Sequence, residues 1–148
     1  MTSNSTKEVI RILRSSEAKK VFRENNVLAA YLFGSLAKGV SHAQSDVDVA
    51  IIFERSVPPS EYFKHEAAIT LGLMRLLHTD KLDVVALNEA PLLLAFQALK
   101  YKKLLYSADE FRRAEFEVRI IGMYYDFKPV LDSYGRQMFR RIKERGLR

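Results

Sequence analysis

The chain has 148 residues, near the usual size of one domain, and its 48% hydrophobic and 28% charged content suits a packed core rather than a disordered chain. It contains no cysteine, which excludes disulfides, a thiol nucleophile and thiolate-bound zinc, and its three histidines, His42, His65 and His78, lack a ligand spacing. The formal net charge is +6, and the excess lies at one end: residues 112–148 hold 10 of the 24 basic and only 5 of the 18 acidic side chains.

Residues Met1 to Arg14 are polar and then charged, without the apolar stretch of a secretory signal. No apolar run approaches the roughly 18 residues that cross a bilayer. A soluble, cytoplasmic chain with no membrane association is expected. There is no internal repeat and no Gly/Ser linker, so residues 1–106 are expected to form a core and 107–148 a helical extension of the same domain.

Val27 to Phe33 (VLAAYLF) is nearly all apolar and predicts a strand. Asp46 to Phe53 (DVDVAIIF) and Leu82 to Leu87 (LDVVAL) predict two more, rich in β-branched residues and each opening on carboxylates. Between them Pro58 and Pro59 break the chain, and Ser60 is placed to cap a helix running to about His78. Pro91 suits the first turn of a helix over Leu92 to Leu99, and Lys103 to Tyr106 reads as a short extended piece. Ser107 to Glu110 (SADE) fits a capping box that opens a long C-terminal helix. Proline removes a helical hydrogen bond, so that helix is expected to kink or break near Pro129. Beyond it Leu131, Tyr134, Met138 and Ile142 share a stripe, which either folds back on the core or docks on another protein. Strands alternating with helices in this order predict an α+β (α/β) domain around a small mixed sheet.

The chemistry concentrates at the strand ends. Alternation along a strand points Asp46 and Asp48 to one side and Val47 and Val49 to the other. Two carboxylates on one face of an apolar strand repel each other and lose hydration, and a divalent cation resolves both difficulties. Magnesium suits an all-oxygen donor set and usually takes one or two carboxylates, leaving its other positions to water and phosphate. Asp83 adds a third carboxylate, enough to hold two ions of the kind that clamp attacking and leaving oxygens. Gly34 and Ser35 close the first strand with a turn that lets backbone approach a phosphate, and Lys38 lies close by in sequence. A phosphate cradle beside a carboxylate pair reads as a site for a metal–nucleoside triphosphate.

Leu32 to Gly39 (LFGSLAKG) followed by Ser45 to Ala50 (SDVDVA) resembles the signature of the DNA polymerase β-type nucleotidyltransferase superfamily. The short length and Tyr125 to Pro129 (YDFKP) are similar to its minimal nucleotidyltransferase (MNT) branch, antitoxins that pair with HEPN-domain ribonuclease toxins. The resemblance spans about Val27 to Ile142, with one departure at Leu36, where many members carry an arginine. It implies a nucleotidyltransferase fold, a cognate HEPN toxin held in a hetero-oligomer, and transfer of AMP from ATP to a toxin tyrosine with release of pyrophosphate. It implies Asp46, Asp48 and Asp83 as the catalytic, magnesium-binding carboxylates and Gly34 and Ser35 as triphosphate-binding residues.

Other side chains carry weaker signals. His42, in the loop between the cradle and the aspartates, could approach the nucleotide. Tyr124 and Tyr125 suit core or interface packing as well as base stacking. The cluster from Arg140 to Arg145 lacks the aromatic interleaving or helix-turn-helix pattern of a nucleic-acid reader, so direct nucleic-acid binding is not expected. Two competing functions remain: a non-catalytic antitoxin acting by occlusion, and a nucleotidyltransferase that modifies a small molecule such as an aminoglycoside.

Overall fold

The apolar runs assemble into one four-stranded mixed sheet. A computed structural model describes residues 3–38 and 46–145. Two helices, α1 (Ser3–Leu13) and α2 (Ser16–Glu24), precede β1 (Val27–Phe33), which turns into the short helix α3 (Gly34–Lys38). There follow β2 (Val47–Phe53), α4 (Tyr62–Leu77), β3 (Leu82–Ala86), α5 (Leu92–Lys100), β4 (Lys103–Ser107) and the long helix α6 (Glu110–Arg145). The sheet order is β3-β2-β1-β4, with β2 and β3 parallel and the other two pairings antiparallel. The three predicted strands and the extended piece after α5 are therefore all present, and the expected mixed sheet with them.

Strand alternation sorts the apolar side chains into two cores. Val47, Val49, Ile51 and Phe53 face α1, α2 and α4, packing with Leu13, Phe22, Ile69 and Leu73. Ala29, Tyr31, Ala50 and Ile52 face the opposite way and pack with Ala95, Phe96, Leu99, Phe116 and Ile120 of α5 and α6. Asp48 shares the second face by the same alternation. Leu36, the departure noted in the signature, is a core residue at 1% exposure.

Both N-terminal helices escaped the reading of the sequence. The signal was short: Ser15 caps α2 by accepting from the Ala18 N–H at 3.2 Å, and only Ala18 and Phe22 of that helix are buried. Ser60 does not cap α4, because Pro59–Glu61 form a turn of 3-10 helix ahead of it and no side chain bonds the helix start. Ser107 likewise ends β4, and Asp109 is the residue that caps α6, accepting from the Arg112 N–H at 3.0 Å.

The break expected at Pro129 does not occur. The helix α6 runs unbroken for 36 residues, about 54 Å, with Pro129 inside it. Proline costs the helix the bond to the Tyr125 carbonyl, but Tyr125 is 59% exposed, so water can take that place. More than two full turns lie on either side, each long enough to propagate. Nor does the stripe fold back on the core: Phe127, Leu131, Tyr134, Met138 and Ile142 are all between 39% and 60% exposed.

One buried carboxylate ties α6 to the centre of the sheet. Glu117, 9% exposed, accepts from the Tyr31 hydroxyl at 2.8 Å and pairs with Arg113 at 2.6 Å and Lys102 at 3.0 Å. Burial works to raise its pKa, but the hydrogen bonds from Lys102, Tyr31 and Arg113 overcome that and hold it below the ordinary glutamate value. A carboxyl whose pKa falls on folding stabilises the fold fully above its unfolded value, about 4.3, and loses that contribution as pH drops through the lower folded value. Glu117→Gln is expected to cost about 3 kcal/mol at pH 7, since it leaves two cations facing a neutral amide. Urea titrations should show the gap between wild type and variant shrinking below about pH 4.

Candidate active site

The parallel pairing of β2 with β3 sets Asp48 directly beside Asp83, in register. Both lie at the starts of their strands, and Asp46 immediately precedes β2. Asp48 is half-buried while Asp46 and Asp83 are exposed at the sheet's end. Burial, then the neighbouring charges of Asp83 and Asp46, push the Asp48 carboxyl above the usual aspartate range. The three acids proposed from sequence are thus electrostatically one group.

Gly34 completes the site from the β1 side. Its φ is +75°, a conformation that favours glycine, and a Cβ placed there would stand 2.3 Å from Oδ2 of Asp48. The turn is therefore shaped around the carboxylate. Ser35 lies in α3, the next residue of the same turn. Lys38, at the end of α3, is exposed, and its Nζ lies 5.1 Å from the centroid of the Tyr101 ring. Gly39, His42 and Ser45 lie outside the described residues.

Among the described residues, no three acidic or imidazole side chains converge closely enough to cage an ion by themselves. Magnesium does not require that: one or two carboxylates with water and phosphate oxygens satisfy it. Hard carboxylate oxygens, one of them held protonation-prone by burial and by its like-charged neighbours, fit an ion that arrives with a polyphosphate.

The remaining predicted residues fall elsewhere. Tyr124 stacks on Phe96 with ring centroids 3.6 Å apart, and Tyr125 meets both rings edge-on, so this pair packs α6 against α5. His65 contacts Asn25 at 3.0 Å, and His78 ends α4 in a left-handed conformation. Among the described residues no helix is long and apolar enough to cross a membrane.

Residues 16–111 match the polymerase beta, nucleotidyltransferase family. The chain belongs to that nucleotidyltransferase family. No curated protein matches the sequence. Among solved structures, a toxin–antitoxin crystallised with AMP-PNP is similar at 25% identity and a TM-score of 0.61, over 81% of this chain and 98% of that one. A tri-AMPylated Shewanella oneidensis HEPN toxin in complex with its MNT antitoxin matches at 22% identity and 0.57, over 82% and 96%. The MntA–HepT toxin–antitoxin matches at 23% and 0.56, over 82% and 97%. These likenesses confirm the nucleotidyltransferase fold expected from the signature.

The nucleotidyltransferase turn yields a direct test. Gly34→Ala is expected to cost about 1–2 kcal/mol in backbone strain and to force the Asp48 carboxylate out of its position. Calorimetry should then find nucleotide uptake in magnesium weakened by about tenfold or more, while the far-ultraviolet dichroism is unchanged. In the opposite direction, Asp48→Asn relieves like-charge repulsion and should raise stability without metal by on the order of 1 kcal/mol, read as a higher urea midpoint.

Proposed function

We propose that the chain is the antitoxin of a HEPN/MNT pair and works in the cytoplasm as a magnesium-dependent protein adenylyltransferase. It transfers AMP from ATP to a tyrosine hydroxyl of its cognate HEPN-type toxin and releases pyrophosphate. The observation that carries this reading is the Asp48 carboxylate, set against Gly34 and in register with Asp83. Membership of the nucleotidyltransferase family supports it, as do neighbours that contain AMP-PNP or an AMPylated toxin.

Asp46, Asp48 and Asp83 would hold magnesium, as two ions, and Gly34, Ser35 and Lys38 the triphosphate. Bound there, the metal neutralises phosphate charge and acts as a Lewis acid. The acceptor oxygen attacks the α-phosphorus in line with the bond to the bridging oxygen of the β-phosphate. As the new P–O bond forms that bond breaks, and its electron pair leaves with pyrophosphate. The acceptor's proton passes to Asp83, whose exposure lets a hydroxyl approach from another molecule. Positioning and charge neutralisation supply most of the acceleration.

A second reading, neutralisation by occlusion, is favoured by α6. Beyond Tyr124 the helix carries Phe127, Leu131, Tyr134, Met138 and Ile142 uncovered, a stripe suited to docking on a partner. In that reading residues 107–148 are the partner-docking element and the chemistry is secondary.

The deciding measurement uses ATP labelled at the α-phosphate and the co-purified partner. Label is expected on a partner tyrosine, dependent on magnesium, and the combined Asp46→Asn and Asp48→Asn variant should lower transfer by roughly a thousandfold or more. Full protection of cells by that variant at native expression would establish occlusion instead. Label that reaches only a small acceptor overturns the protein-acceptor reading.

A further inference from the structure

Two ammonium groups converge on one aromatic ring at the same end of the sheet as the carboxylates. Nζ of Lys38 lies 5.1 Å from the Tyr101 ring centroid and Nζ of Lys100 lies 5.3 Å from it. Both lysines and Tyr101 are exposed. Among the described residues, neither lysine pairs with a carboxylate, so the shared ring is what sets these two apart from other unpaired lysines. A ring attracts one exposed cation only weakly, and two cations on the same ring repel each other. An anion bound beside both ammonium groups would offset that repulsion.

The topology places these groups beside the turn at Gly34. Leu32 pairs with Lys103, so the junction between α5 and β4, where Lys100 and Tyr101 sit, lies beside the end of β1 that turns at Gly34. The helix α5 packs on the sheet face that carries Ala50 and Ile52, which by alternation is the face of Asp48. Acids on the β2–β3 side and ammonium groups on the β4 side therefore flank one turn. From β3 to β4 is three strand spacings, about 14 Å, a span that a metal-bound triphosphate and a lysine side chain cross together.

We propose that Lys100 and Tyr101 join Lys38 in a clamp for the terminal phosphates of the nucleoside triphosphate and for the pyrophosphate that leaves. This inference rests on the reading of the chain as a nucleotidyltransferase given above. Lys38 and Lys100 bind the β- and γ-phosphate oxygens. Tyr101 is a positioning residue: both ammonium groups rest against its ring, and a bound polyphosphate offsets their mutual repulsion. The clamp selects for a polyphosphate tail and offsets the charge that accumulates on the leaving group as the α–β bond breaks. It accounts for two exposed lysines sharing the Tyr101 ring.

Calorimetric titration of the full chain with ATP, ADP and AMP, each in excess magnesium, tests it. Lys100→Ala should weaken ATP and ADP by about tenfold, the loss of one charge-assisted contact, and change AMP by less than about twofold. Tyr101→Ala should show the same split, and Tyr101→Phe, which keeps the ring, should bind as wild type does. Thermal unfolding of each variant should match wild type, as expected of exposed side chains. Equal weakening of ATP and AMP would place the cluster at the base or sugar and overturn the clamp. Unchanged affinity for all three in Lys100→Ala and Tyr101→Ala would overturn it too, while leaving nucleotidyl transfer intact. If wild type takes up no nucleotide at all, the transferase reading fails first, and the clamp with it.

Discussion

The parallel pairing of β2 with β3 is the constraint on which the site depends. Parallel strands start at the same end of a sheet, so carboxylates near the beginnings of both are brought together. Asp46 just ahead of β2, Asp48 in it and Asp83 near the start of β3 meet for that reason. An antiparallel β3 would carry Asp83 to the far end, beside Phe53, and leave Asp48 with no partner across the strand. A parallel pair needs a crossover connection, which the 16 residues of α4 supply while burying Ile69 and Leu73 against the sheet. Burial first, and then the gathered like charges, raise the Asp48 pKa, and the apolar residues Val49 to Phe53 of the same strand supply packing that offsets the cost.

What could be read from the sequence follows from the range of each interaction. Strand identity is local, set by apolar runs and a period of two, and it is legible in the sequence. The register that sets Asp48 against Asp83 is a long-range choice that no local pattern states. The same holds for the approach of Gly34 to Asp48, which requires β1 and β2 to be paired first. The two N-terminal helices were hidden by brevity and charge: α2 reads SEAKKVFRE and buries only two side chains. Lys100 and Tyr101 gave no signal at all, because their meaning arises only when α3 and the end of α5 converge. The unbroken helix at Pro129 is not legible locally, because the proline rule does not weigh the exposure that lets water take up the freed carbonyl's bond.

The helix α6 divides into a fixed part and a free part. Its first turns are pinned by Asp109 at the cap, by Arg112 on Glu54 and by Glu117 on the hydroxyl of Tyr31, the most central large side chain of the sheet. Past Tyr124, the stacking of Phe96 ends and the helix leaves the body. From there its apolar stripe continues in phase with Phe116 and Ile120, so the pattern that builds the core also builds the exposed arm. The basic excess of the chain gathers along this arm, at Arg136, Arg140, Arg141, Lys143 and Arg145. An apolar stripe flanked by cations suits an acidic, partly apolar surface better than a second copy of a chain whose own net charge is +6.

Under the proposed function the two readings of neutralisation converge in one geometry. The base of α6 packs on the sheet face that bears Asp48, because Phe116 and Ile120 share a core with Ala50 and Ile52. Under that proposal, a protein held by the arm is held by a helix whose base packs on the face of Asp48. Docking raises the local concentration of the acceptor hydroxyl and turns an encounter between two proteins into an effectively intramolecular step. The division of labour follows the rigidity of the parts, with the acids fixed by strand register and the arm left free of the body to meet a second molecule.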